Sequence, residues 1–153
     1  MDDQTRRGLV GAGVFGFGVS GLVDVLVLHL VFQWHHLVSN VVSPATLSGL
    51  RTNLVADGLF SVAMLVVALA GAGVVWRAER RAVDPLPARA LAGAALFGLG
   101  TFDVFDVVVN HWLLGLHHAV GMDGAYDPHW FVVSLLLAAA GVLVYRNAEV
   151  SRT

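Results

Sequence analysis

No cysteine occurs in the 153 residues, which removes disulfides, thiolate metal sites, iron–sulfur clusters and thiol redox chemistry together. Lysine is absent too, so all nine cationic side chains are arginine. Charge of either sign is scarce, at 13% of residues, where a soluble domain carries about 25%. A net charge near −2 leaves no basic footprint for a nucleic acid. No serine–histidine–aspartate or phosphate-loop arrangement is present, so hydrolase and kinase chemistry have no support. Gly16-Phe-Gly18-Val-Ser-Gly21 spells a dinucleotide fingerprint, but no strand precedes it and no βαβ unit surrounds it. Inside an apolar run, such glycines instead let helices approach closely.

Apolar residues fill the space left, at 57% of the chain and a mean hydropathy of +0.75. Four apolar stretches stand out, at about 8–34, 54–76, 88–114 and 128–145. Each is near or above the ~17–25 residues that carry a helix across the hydrocarbon core. Arg6-Arg7 before an apolar run resembles a secretory signal, but the run from Gly8 to about Phe32 is too long for one and predicts a retained span. The expectation is one all-α transmembrane domain over residues 1–153, a four-helix bundle in the lipid bilayer. Trp34, Trp76, Trp112 and Trp130 fall near span ends as an aromatic belt.

Arginine sets the orientation. Arg6, Arg7, Arg77, Arg80, Arg81, Arg89, Arg146 and Arg152 flank one side once four spans are drawn, and only Arg51 lies opposite. Positive-inside bias places both termini and the middle loop in the cytoplasm, in a multi-pass protein of the cell membrane. All seven histidines then lie toward the extracytoplasmic side: His29, His35, His36, His111, His117, His118 and His129.

A shift of 82 positions maps the sequence onto itself. Gly11, Ala12, Phe15, Gly16, Gly18, Asp24, Val25, His29, His35 and His36 fall on Gly93, Ala94, Phe97, Gly98, Gly100, Asp106, Val107, His111, His117 and His118. The pattern predicts two parallel two-helix repeats, at about 8–76 and 88–145, with spans one and three facing each other and a site at their interface. Asp57-Gly-Leu-Phe at the head of span two corresponds to Asp127-Pro-His-Trp at the head of span four.

The segments Gly16-Phe-Gly18, Asp24 to His29, Gln33-Trp-His-His36, Asp57-Gly-Leu-Phe60, Asn110-His111 and Leu116-His-His118 resemble the predicted membrane proteins grouped as domain of unknown function 2243. The resemblance covers nearly the whole chain. It implies a small multi-span membrane protein of prokaryotes, with a link to cytochrome oxidase assembly and hence to copper or haem. Respiratory-chain or copper-delivery proteins are the partners it implies. Family members often carry a histidine after Asp-Gly-Leu-Phe, where this chain has Ser61.

On a regular α-helix at ~100° and ~1.5 Å per residue, His29 and His36 share one face about 10 Å apart, while Asp24 and His35 lie on a second stripe. The facing span adds His111 and His118. An Asp at the centre of a span costs at least ~2.5–3.5 kcal/mol, so Asp24 and Asp106 should face the interior with partners. Asp103 and Asn110 extend the polar stripe of span three. Three chemistries fit. The first is a transition-metal site built from His29, His36, His111, His118, Asp24 and Asp106, with His35, His117, Asp57 and His129 as secondary candidates. Without sulfur ligands it favours copper as Cu(II), with zinc or iron as alternatives. The second is haem held axially by His29 and His111, which would make the chain an electron carrier or redox enzyme. The third is a proton or ion path without bound metal. The His-His pairs also suit interfacial positions beside Trp34 and Trp112, and His129 after Pro128 suits a loop or cap. A chain this rich in glycine is also suited to association with further copies.

Overall fold

The computed structural model describes residues 1–150, with side chains described to Ala148. Four long helices make up the fold: α1 (Asp3–Asp24, continued by a π-helical segment Val25–Val31), α2 (Leu47–Glu79), α3 (Ala88–Phe105, continued by a π-helical segment Asp106–Leu113) and α4 (Asp127–Val150). No strand occurs among the described residues. Each helix is long and apolar enough to cross a membrane.

The ends of the helices follow from local chemistry. Asp2 caps α1 by accepting from the Thr5 backbone N–H at 2.8 Å. Thr46 caps α2 through Gly49 N–H at 3.1 Å, so α2 begins well before the apolar run near residue 54. Pro87 immediately precedes α3, and Pro128 occupies the first turn of α4, where a missing N–H costs nothing.

α1 and α3 pack against each other at the centre, with α2 on the outside of α1 and α4 on the outside of α3. The crossing is very close. A Cβ on Gly16 would stand 1.9 Å from the Ala95 carbonyl oxygen, and one on Gly98 would stand 1.9 Å from that of Gly13. Small residues let backbones meet in this way, which is how helices associate where lipid removes the hydrophobic drive. The outer helices show most of their apolar side chains to the surroundings, including Leu59, Val62 and Val66 on α2 and Leu136 and Leu143 on α4.

Arg6, Arg7, Arg77, Arg80, Arg81, Arg89 and Arg146 gather at one end of the helices; Arg152 lies outside the described residues. The histidines gather at the other end. There the chain leaves α1 through Gln33, whose φ of 51° is left-handed, and leaves α3 through Gly115 at 59°. Phe32 N–H and Trp34 N–H bond back to Val27 and Leu28 around the first turn, as Leu114 and Leu116 bond back to Val109 and Asn110 around the second. A side chain in this conformation is strained, whereas glycine is not. Gln33→Gly is expected to stabilise the protein by about 0.5–1 kcal/mol, read as a higher midpoint of denaturation in mild detergent.

Candidate metal centre

The two π-helical segments decide what faces what. On a regular α-helix, residues five apart point ~140° away from each other. In a π-helix the i→i+5 hydrogen bond makes them neighbours on successive turns. Asp24 therefore stands beside His29, with Oδ2 3.2 Å from Nε2, and Asp106 stands beside His111, with Oδ2 3.0 Å from Nε2. This differs from the α-helical stripes expected from the sequence, which separated Asp24 from His29.

The outer helices supply a second carboxylate to each half, Asp57 from ten residues into α2 and Asp127 from the start of α4. Asp57 Oδ1 accepts from His29 Nδ1 at 2.8 Å and from the Leu37 backbone N–H at 2.8 Å, and its Oδ2 accepts from His36 Nδ1 at 2.7 Å. Asp127 repeats this arrangement. Its Oδ1 accepts from His111 Nδ1 at 3.0 Å and Ala119 N–H at 2.8 Å, and its Oδ2 accepts from His118 Nδ1 at 2.7 Å.

The loops after α1 and α3 cross over. His35 Nδ1 donates to the Ala119 carbonyl at 2.9 Å, and His117 Nδ1 donates to the Leu37 carbonyl at 3.0 Å. Asn40 N–H bonds to the Leu116 carbonyl at 3.0 Å and Gly121 N–H to that of Trp34 at 3.3 Å. The imidazoles of His35 and His117 stack between the halves at 4.7 Å and 8°.

These bonds fix tautomers. A carboxylate or carbonyl oxygen can only accept, so Nδ1 carries the proton in His29, His35, His111 and His117. In the neutral rings the Nε2 atoms then hold free lone pairs. All four are buried, at 0%, 5%, 2% and 0% exposure respectively, and none of the four Nε2 atoms has a hydrogen-bond partner. The short contacts of His29 and His111 to Asp24 and Asp106 lack hydrogen-bond alignment. Burial pushes His35 down to about 2, so this ring is neutral. The ligand atoms of His29, His35 and His117 lie within 4.8 Å of one another, as do those of Asp106, His111 and His117.

The residues singled out in the sequence thus fall into three groups. His29, His111, Asp24 and Asp106 join the centre, together with His35 and His117. His36 and His118 turn their Nδ1 atoms to Asp57 and Asp127 and hold those carboxylates in place. His129 is exposed beside Tyr126, away from the centre. Asp103 bonds to Ser20 across the helix crossing at 2.7 Å, and Asn110 donates to Asp106 at 2.7 Å. Asp127 was not among the residues expected at the site. Its correspondence with Asp57 was the available signal.

The fold and the site together define a four-helix membrane protein with a buried histidine–aspartate centre that can hold a metal ion. Residues 11–148 match the family described as "Predicted membrane protein (DUF2243)", and the chain belongs to that family. No curated protein and no solved structure matches the chain.

Proposed function

We propose that the protein binds a transition-metal ion through Nε2 of His29, His35, His111 and His117, with Asp24 and Asp106 as the carboxylates within reach. One observation carries this reading: four buried imidazole nitrogens without hydrogen-bond partners, two of them beside a carboxylate oxygen, fall in two overlapping groups of ligand atoms, each ring with its Nδ1 proton committed elsewhere. A buried polar atom left unpaired costs about 1–3 kcal/mol, and a bound cation satisfies those it coordinates. Metal-bound histidines usually donate their second N–H to a carboxylate or carbonyl, which is the arrangement here. Donors on one ion at ~2.1 Å lie at most about 4.2 Å apart, so each triad, with its ligand atoms within 4.8 Å, needs only slight contraction.

The donor set of imidazole and carboxylate, with no sulfur, suits Cu(II) or Zn(II) better than Cu(I). Copper agrees with the oxidase-assembly link that the family resemblance implied, and copper handling or oxidase maturation is the role we assign. The arginine-rich end faces the cytoplasm in this reading, and the centre lies toward the outside of the cell membrane.

The ring packing counts against haem. His29 contacts His35 at 4.4 Å and His111 contacts His117 at 4.7 Å between ring centroids, leaving no slot for a porphyrin between His29 and His111. A proton path would begin well, through Ser20 and Asp103. From Gly8 to Val19, however, α1 offers no polar side chain to continue it.

The test is elemental analysis, with absorption and electron paramagnetic resonance spectra, on protein purified in mild detergent without chelators. Copper or zinc should be present and its content should fall in His35→Ala and His117→Ala, while His129→Ala keeps it. Wild-type protein without metal, and unable to take up either ion, would overturn the reading.

A further inference from the structure

We propose that the centre is dinuclear, holding two divalent ions, one per half. Each ion would be bound by two imidazoles and one carboxylate. This inference rests on the metal reading above and adds the number of ions and the division of ligands between them.

Donor geometry supplies the support. Six potential ligand atoms are present, and each kind occurs once per half: Asp24 with His29 and His35, and Asp106 with His111 and His117. Apart from the stacked His35–His117 pair that joins the halves at 4.7 Å, ring contacts within a half are shorter than those across it. His29–His35 and His111–His117 stand at 4.4 and 4.7 Å, whereas His29–His117 and His35–His111 stand at 5.6 and 6.3 Å. His35 and His117 lie parallel rather than inclined toward a common point. His117 is within reach of both ligand groups, yet its Nδ1 is spent on the Leu37 carbonyl, so its single Nε2 can serve only one ion. Two ions therefore require His35 on one side and His117 on the other.

The carboxylates follow the same division. Four of them pair with histidine in this region, two in each half: Asp24 and Asp57 in the first, Asp106 and Asp127 in the second. All four are buried or nearly so, and none pairs with an arginine among the described residues. A divalent ion in each half would stand against the two carboxylates of that half. Asp24 and Asp106 would be the ligands, while Asp57 and Asp127 would act on the ions only through the imidazoles they orient.

Zinc(II) is the probe. Chelator-stripped protein in mild detergent is titrated calorimetrically, and bound zinc is measured after desalting. The wild type should take up two zinc ions per chain. His29→Ala/His35→Ala and His111→Ala/His117→Ala should each retain one. Asp24→Asn and Asp106→Asn keep every imidazole and guard against misfolding of the double variants. Each should weaken one binding step and spare the other. A wild-type stoichiometry of one, abolished in both double variants or with both Asn variants weakening the same step, overturns the dinuclear centre and leaves the metal reading standing. No zinc, with no copper either, overturns both.

Discussion

Asp57→Asn and Asp127→Asn should each lower affinity for zinc(II) or copper(II) by about 10–100-fold, although neither residue is assigned as a ligand. Asp57 collects three donors: His29 Nδ1, His36 Nδ1 and the Leu37 N–H. An asparagine offers one oxygen and one NH2 group to that set, so at least one N–H would face another donor. His29 Nδ1 and the Leu37 N–H share Oδ1, and a backbone N–H keeps its proton, so the amide oxygen stays with that pair and the NH2 falls opposite His36 Nδ1. His36 loses its anchor, and with it the start of the loop that carries His35. His29 keeps only a neutral oxygen as its acceptor, which makes its Nε2 a weaker ligand. Competition against a chromophoric chelator measures the effect, and circular dichroism checks that the helices persist. Unchanged affinity in both variants would mean that these carboxylates do not hold the ligands in place.

Gly16→Leu should damage the protein most severely while standing far from any ligand. Its Cβ alone would meet the Ala95 carbonyl at 1.9 Å, and no rotamer relieves a clash between backbones. α1 and α3 must separate or slide, and overpacking of this kind costs about 1–3 kcal/mol or more. The two halves of the centre ride on those same helices, so bound metal should fall together with the denaturation midpoint. Gly73→Leu is the control, since nothing lies within 4 Å of a Cβ there. If Gly16→Leu kept full stability and full metal content, the close crossing would not be what aligns the halves.

Much of this architecture was legible in the chain. Four apolar runs, one arginine-rich end and one histidine-rich end follow from lipid as solvent, and the chain has four helices long and apolar enough to cross a membrane. His29, His111, Asp24 and Asp106 were legible for the same reason, because a polar group in a span must face inward. The division of labour within each His-His pair was not. Period alone cannot say whether His35 or His36 points to the centre. That choice is made by the loop beyond the helix, whose path is fixed by bonds such as His35 to Ala119 and Asn40 to Leu116. The neighbouring of Asp24 and His29 was hidden by an assumption of uniform helical pitch. The five-residue spacing recurs in Asp106 and His111, and in hindsight it is the trace of the π-helical segments. Asp127 escaped because it follows His118 by 9 positions whereas Asp57 follows His36 by 21, so the shift that aligns spans one and three does not align the outer helices.

The exchange of His35 and His117 between the two loops also sets an order of events during synthesis. Chains are made from the N-terminus, and early segments fold before later ones exist. When α1 and α2 are complete, Asp57 can already gather His29, His36 and Leu37, because all four belong to the first half. His35 cannot yet be held, because its acceptor, the Ala119 carbonyl, has not been made, and Leu37 must wait for His117. The nascent first half thus waits in the membrane with one loop unfastened. The centre locks only when residues 117–119 arrive and the two loops clasp each other.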